Sequence, residues 1–157
     1  MKKEIALIGE NGPVQANVLE RLLQNGMDVN YLSANAERVM LDTTNLTVSQ
    51  LNYETKEALA KQLEGYDTVV ITYETDYTNA ENNNFMLRTY SECVNAAINA
   101  GVRRLAVVGS PFSEAFLQGE LNRHGDLIDG EYITTEGDYA DAVANAVLRQ
   151  MAAEAVG

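Results

Sequence analysis

Residues 5–23, IALIGENGPVQANVLERLL, pass from a hydrophobic run through a glycine turn into an amphipathic helix. This junction constrains the fold more than any other stretch of the chain. Val14, Val18 and Leu22 recur at helical spacing on one face. Pro13 stands at the first helical position, where its missing N–H costs nothing. Such a strand–turn–helix aims backbone N–H groups and the positive helix end at an anion. Gly9 serves the tight turn and Gly12 a close approach of the ligand, whereas Glu10 places a carboxylate beside them.

The same alternation continues along the chain. Glu4–Ile8 reads as the first strand and Pro13–Leu23 as the first helix, closed by Asn25-Gly26. Asp28–Leu32 and Leu46–Gln50 are the second and third strands, and Thr55–Leu63 is a short helix with Leu59 and Leu63 inward. Asp67–Tyr73, DTVVITY, is rich in branched residues and gives the strongest strand signal. Phe85–Ala100 is a long helix ended by Gly101, and Arg104–Gly109 is the fifth strand. Phe112–Leu121 is a further helix and Glu131–Thr134 a sixth strand. Thr135 is expected to cap a last helix, with Asp138 completing an imperfect capping box and Tyr139, Val143, Val147 and Met151 as its apolar stripe. Strands alternating with helices mean a three-layer α/β fold: a mostly parallel sheet with helices on both faces. No repeat or linker divides the sequence, so residues 1–157 are expected to form one domain.

Composition narrows the partners. With 23 acidic against 11 basic residues the net charge is −12, and all four lysines lie within the first 61 positions. That balance repels nucleic acid and anionic membranes. No apolar run nears the roughly 18–20 residues that span a bilayer, and the run before Gly9 is too short for a signal peptide's core. A single cysteine, Cys93, fits a reducing compartment, and a cytoplasmic protein is expected.

IALIGENGPVQANVLERLLQNGMDVNYL resembles the G-x-x-G-x-x-G entry of the atypical short-chain dehydrogenase/reductase superfamily. It is most similar to small NAD(P)H-binding proteins of the NADH–flavin reductase-like and NAD-dependent epimerase-like kinds. The similarity continues through LTVSQLNYETKEALAKQLEGYDTVVITY, AGVRRLAVVGS and ITTEGDYADAVANAVL. It implies a Rossmann fold, with a doubly wound sheet in the order 3-2-1-4-5 extended by the sixth strand, and NAD or NADP as cofactor. The dinucleotide would then lie over Gly9, Asn11, Gly12, Pro13 and Val14, pass Ala34 and Asn52, and reach Thr72 and Tyr73. Hydride transfer to a flavin or small carbonyl acceptor follows from the same likeness. By analogy with such folds, a second copy of the chain is the expected macromolecular partner.

The departures are specific. Gln15 replaces the third fingerprint glycine, which is expected to push the helix away from the strand or tilt it. Glu10 would oppose a pyrophosphate by about 1–2 kcal/mol if both are partly desolvated. Ala34 stands where NADP-preferring relatives carry arginine, and Asn52 where an aspartate usually approaches adenine. The segment at about 111–132 is shorter than the substrate lid of such proteins. These departures support an alternative: a non-catalytic Rossmann protein acting as a dinucleotide sensor or interaction module.

Few residues carry chemistry of their own. None of the eight tyrosines has lysine four residues later, so the Tyr/Lys acid–base pair of the superfamily is absent. Flavin reductase-like relatives manage without it, because protein mainly positions donor and acceptor. Ser110, after the fifth strand, is the candidate for orienting a substrate carbonyl. His124 lacks companions for a transition-metal site, and no metal is expected. Cys93 shares a helix face with Tyr90 and Ala97 and reads as buried and inert. Glu74, Asp76 and Glu81 read as a solvated acidic loop leading into a helix.

Overall fold

The computed structural model describes residues 4–9, 12–33, 36, 43–52, 54–72, 80–111 and 114–156, with 80–89 and 150–156 as backbone alone. The elements in chain order are β1 (Ile5–Gly9), α1 (Pro13–Gln24), β2 (Val29–Ser33), β3 (Leu46–Gln50), α2 (Lys56–Leu63), β4 (Thr68–Thr72), α3 (Ala80–Asn99), β5 (Arg104–Gly109), α4 (Glu114–Arg123), β6 (Asp129–Thr134) and α5 (Tyr139–Val156). The six strands form one sheet in the order β3-β2-β1-β4-β5-β6, and every neighbouring pair is parallel. This is the α/β arrangement that the alternating pattern predicts, in the doubly wound order that the family resemblance implies.

Burial follows position in the sheet. Central strands β1, β4 and β5 are buried throughout, as continuous apolar runs of a parallel sheet must be. The edge strands β3 and β6 are more exposed. One core lies between the sheet and α2, α3 and α4, with Leu59, Leu63, Val94, Ala97, Leu117 and Leu121. The other lies under α1 and α5, with Val18, Leu19, Leu22, Val143, Ala144 and Val147. Arg21 pairs with Asp141 at 2.8 Å, and Asn17 donates to the Tyr139 hydroxyl at 2.7 Å, joining α1 to α5.

Glutamines cover both sheet edges. Asp129 and Thr135 donate their N–H groups to β5, which turns the N–H of Tyr132 to the open side of β6. There Gln118 of α4 accepts it at 3.3 Å. On β3, Gln62 of α2 donates to the Gln50 carbonyl at 2.8 Å and accepts from the Asn52 N–H at 3.0 Å. Each side-chain amide stands in for a missing strand, which shields an edge from unwanted pairing.

Three helix boundaries differ from expectation. α3 begins at Ala80 rather than Phe85, so the polar run AENNN is helical despite the low propensity of asparagine. α4, Glu114–Arg123, ends two residues later than expected, and residues 112 and 113 of the expected helix lie outside the described residues. The cap of α5 is Asp138, whose Oδ1 accepts the Asp141 N–H at 3.2 Å, and not Thr135. Gly137 lies between them with φ +61, a left-handed turn that prevents the helix from reaching back to Thr135. By contrast, Thr55 caps α2 by accepting the Ala58 N–H at 2.9 Å, one residue before the helix proper. Among the described residues no helix is long and apolar enough to cross a membrane.

Candidate functional site

Because all six strands are parallel, their carboxyl ends meet at one edge of the sheet, bringing Gly9, Ser33, Gln50, Thr72 and Gly109 together. Strand order reverses between β1 and β4, where Ile8 pairs with Ile71. In open α/β sheets the ligand crevice opens at that reversal.

Gly9 and Thr72 face each other across it. A Cβ on Gly9 would come 2.1 Å from Thr72 Oγ1, so the glycine is required by its strand neighbour. Among the described residues the left-handed glycines are Gly26, Gly65, Gly101 and Gly137, and neither fingerprint glycine is one of them. The Thr72 hydroxyl donates to the Ile8 carbonyl at 3.2 Å, and the Tyr31 hydroxyl donates to the Gly9 carbonyl at 3.2 Å. Two side-chain hydroxyls thus fix the last two carbonyls of β1 just before the turn.

Beyond the turn, Gly12 is the N-cap of α1 with extended φ −173 and ψ 178. Its carbonyl accepts the Ala16 N–H at 2.9 Å, and Pro13 follows at the first helical position. As a glycine, Gly12 contributes no capping side chain, and the first turn contains no acidic residue. The positive end of α1 is therefore not neutralised by its own first turn. Val14 packs partly into the core shared with α5, so any ligand contact it makes is through its main chain. Glu10, Asn11, Ala34, Tyr73, Glu74 and Asp76 lie outside the described residues, and Glu81 is described by its backbone alone.

Asn52 is exposed beyond β3, and its Oδ1 accepts the Glu54 N–H at 3.0 Å, shaping the turn into α2. Ser110 follows β5 as a buried residue, and its carbonyl accepts the Tyr132 hydroxyl at 2.7 Å. Tyr90 likewise donates to the Val108 carbonyl at 3.4 Å. Tyr31, Tyr90 and Tyr132 therefore all direct their hydroxyls to main-chain carbonyls at the carboxyl edge. His124, beyond α4, lies toward the opposite edge, since β6 starts there five residues later. Cys93 is buried in α3; burial, reinforced by the charge of Glu92, pushes its thiol up to about 12. It is not a nucleophile at neutral pH.

The distribution of buried polar residues sets this edge apart. Among the described residues these are Gln15, Ser33, Thr68, Thr72, Arg104 and Ser110. Thr68 and Arg104 lie at the opposite edge and are joined there, Arg104 Nε donating to Thr68 Oγ1 at 2.8 Å. The other four surround the carboxyl edge. Sequence reasoning identified Thr72 and Ser110 but gave no role to Ser33 or Tyr31 and treated Gln15 as an obstruction. Helical spacing carried the missing signal for Gln15, which precedes Val18 and Leu19 on the buried face of α1.

A sequence model of the NAD(P)H-binding family matches residues 9–152, and the chain belongs to that family. Its fold is shared by Bordetella bronchiseptica WbmH, solved with NAD+: 20% identity, TM-score 0.64, covering 85% of this chain and 56% of that one. It is shared also by the Citrobacter sp. triphenylmethane reductase solved with NADP(H), at 20% identity, TM-score 0.60, and 83% and 48% coverage. The Escherichia coli NADPH-dependent quinone oxidoreductase QOR2 with NADPH gives 19% identity, TM-score 0.58, and 83% and 47% coverage. The chain spans about half the length of these proteins. No curated protein matches it significantly by sequence.

Proposed function

We propose that the chain binds NAD(P)H across the β1/β4 crevice and serves as a reductase, delivering a hydride to a flavin or another small carbonyl-type acceptor. The observation that carries this reading is the gathering of Gln15, Ser33, Thr72 and Ser110 at the carboxyl edge, where strand order reverses. Membership of the NAD(P)H-binding family supports the cofactor. The residues present fit it: an N-cap without a side chain and an acid-free first turn suit a pyrophosphate at the start of α1.

In this reading Gly12 and Pro13 receive the pyrophosphate, with Asn11 beside them. Ala34 and Asn52 lie toward the adenosine, and Thr72, Tyr73 and Ser110 toward the nicotinamide. When bound, the cofactor supplies the hydride. The chain's own part is positional. Tyr31 and Thr72 fix the carbonyls that lead into the turn, and the Ser110 side chain orients the acceptor. A flavin acceptor suits a protein whose edge tyrosines bond to main-chain carbonyls and whose sequence has no Tyr/Lys pair. The lone, buried Cys93 suits a cytoplasmic setting.

Titration with NADH and NADPH, followed by nicotinamide fluorescence and by melting, tests the reading. A ligand at 100 times its Kd stabilises a protein by about 2.7 kcal/mol. Absence of a response to either at millimolar concentration would refute dinucleotide binding. Binding without hydride transfer to flavins or quinones would refute the reductase activity.

A further inference from the structure

At the carboxyl edge one buried polar side chain has its hydrogen bonding incomplete. Gln15 is the third residue of α1 and only 6% exposed, on the stripe that continues with Val18, Leu19 and Leu22. A carboxamide has two N–H donors and an acceptor oxygen, and buried amides are nearly always hydrogen-bonded. Among the described residues none hydrogen-bonds the Gln15 side chain, whereas Ser33, Ser110, Thr72 and Tyr31 are all engaged. Helical side chains lean toward the N-terminus, so this carboxamide extends over the turn at Gly12. It therefore joins the acid-free end of α1, whose N-cap glycine brings no side chain, as a second feature suited to the same anion.

We infer that Gln15 is a ligand-binding residue: its side-chain N–H2 donates to phosphate oxygens of the nucleotide seated at the N-terminus of α1. The assignment rests on the dinucleotide reading above. A glycine at this position leaves space, whereas glutamine fills the space and returns two donors. The donors are neutral, and so recruit a phosphate without burying a cation in the core. On this view the break in the glycine fingerprint exchanges a packing role for a direct contact. A stripe residue of purely structural purpose would be better served by methionine, which has the same reach and no polar atoms to satisfy.

Gln15→Met separates the two roles. Without the unsatisfied amide, the ligand-free variant is expected to melt a few degrees higher than wild type. It is also expected to bind NADH, NADPH and ADP at least ten-fold more weakly. Should the methionine variant fail to fold, Gln15→Gly removes the donors without adding bulk and carries the same affinity prediction. A variant that binds as tightly as wild type overturns the role of Gln15 and leaves the dinucleotide reading intact. Lower melting of the ligand-free variant with unchanged affinity likewise assigns Gln15 to structure alone. If wild type responds to neither NADH nor NADPH, the dinucleotide reading fails. ADP binding that weakens in Gln15→Met then keeps Gln15 as a nucleotide-phosphate ligand, and absence of ADP binding removes it.

Discussion

The two edges of the sheet are built from similar strands yet handle buried polarity in opposite ways. At the amino edge, Arg104 and Thr68 are buried together and the guanidinium donates to the hydroxyl at 2.8 Å. At the carboxyl edge, hydroxyls from β2 and β4 hold the carbonyls of β1, while Gln15 is buried with no such partner among the described residues. A buried polar group with a partner adds to stability; one without is a cost that a ligand can offset. The difference separates the amino edge from the edge where binding is proposed.

The largest expected effect at the binding edge comes from Gly9→Ala, whose methyl would meet Thr72 Oγ1. Thr72 can yield only by breaking its bond to the Ile8 carbonyl. A loss of up to about 3 kcal/mol in urea unfolding is expected, together with loss of NAD(P)H binding. A variant of wild-type stability and affinity would break the account of the crevice. At the other edge, Thr68→Val removes the acceptor of a charged donor and is expected to cost about 2 kcal/mol, with dinucleotide affinity unchanged. Weakened affinity there would blur the distinction between the edges.

Tyr31→Phe sharpens the comparison, because it deletes only the hydroxyl that holds the Gly9 carbonyl. About 1 kcal/mol of stability is expected to go, with a several-fold rise in the Kd for NADH. The smallest effect concerns Cys93, which touches neither edge and serves as a control. Its thiol is raised from 9.0 to about 12, so the folded protein keeps a proton that the unfolded chain loses above pH 9. Stability from this group is complete below pH 9 and declines as pH rises, by somewhat under about 1 kcal/mol at pH 9.5. Denaturation of wild type and Cys93→Ala at pH 8 and pH 9.5 should show the gap between them narrowing by that amount, and a constant gap would contradict it.

Much of the fold was legible in the sequence because periodicity is a local property. TVVIT in β4 and RLAVVG in β5 announce buried parallel strands by branched apolar runs. Pro13 and Thr55 announce helix starts through backbone chemistry within one turn. The start of α5 was misjudged by the same local logic: Thr135 and Asp138 both suit a cap, and the left-handed Gly137 decides for Asp138. The site was less legible. Asn52 read as a residue facing adenine, yet its oxygen shapes the turn to Glu54. Gly9 read as a turn residue, yet its missing Cβ makes room for a side chain from β4.

The sequence by itself determined the layered α/β architecture and the glycine turn that leads into α1, because these follow from spacing and turn chemistry over a few residues; the strand order came from the family resemblance and is seen in the sheet itself. Tertiary structure alone decided which polar groups are satisfied. Thr72 reaches Ile8 across 64 positions of chain and Tyr31 reaches Gly9 across 22. Only such long-range packing shows that Gln15, an apparent flaw in the glycine turn, is buried without a hydrogen-bond partner among the described residues.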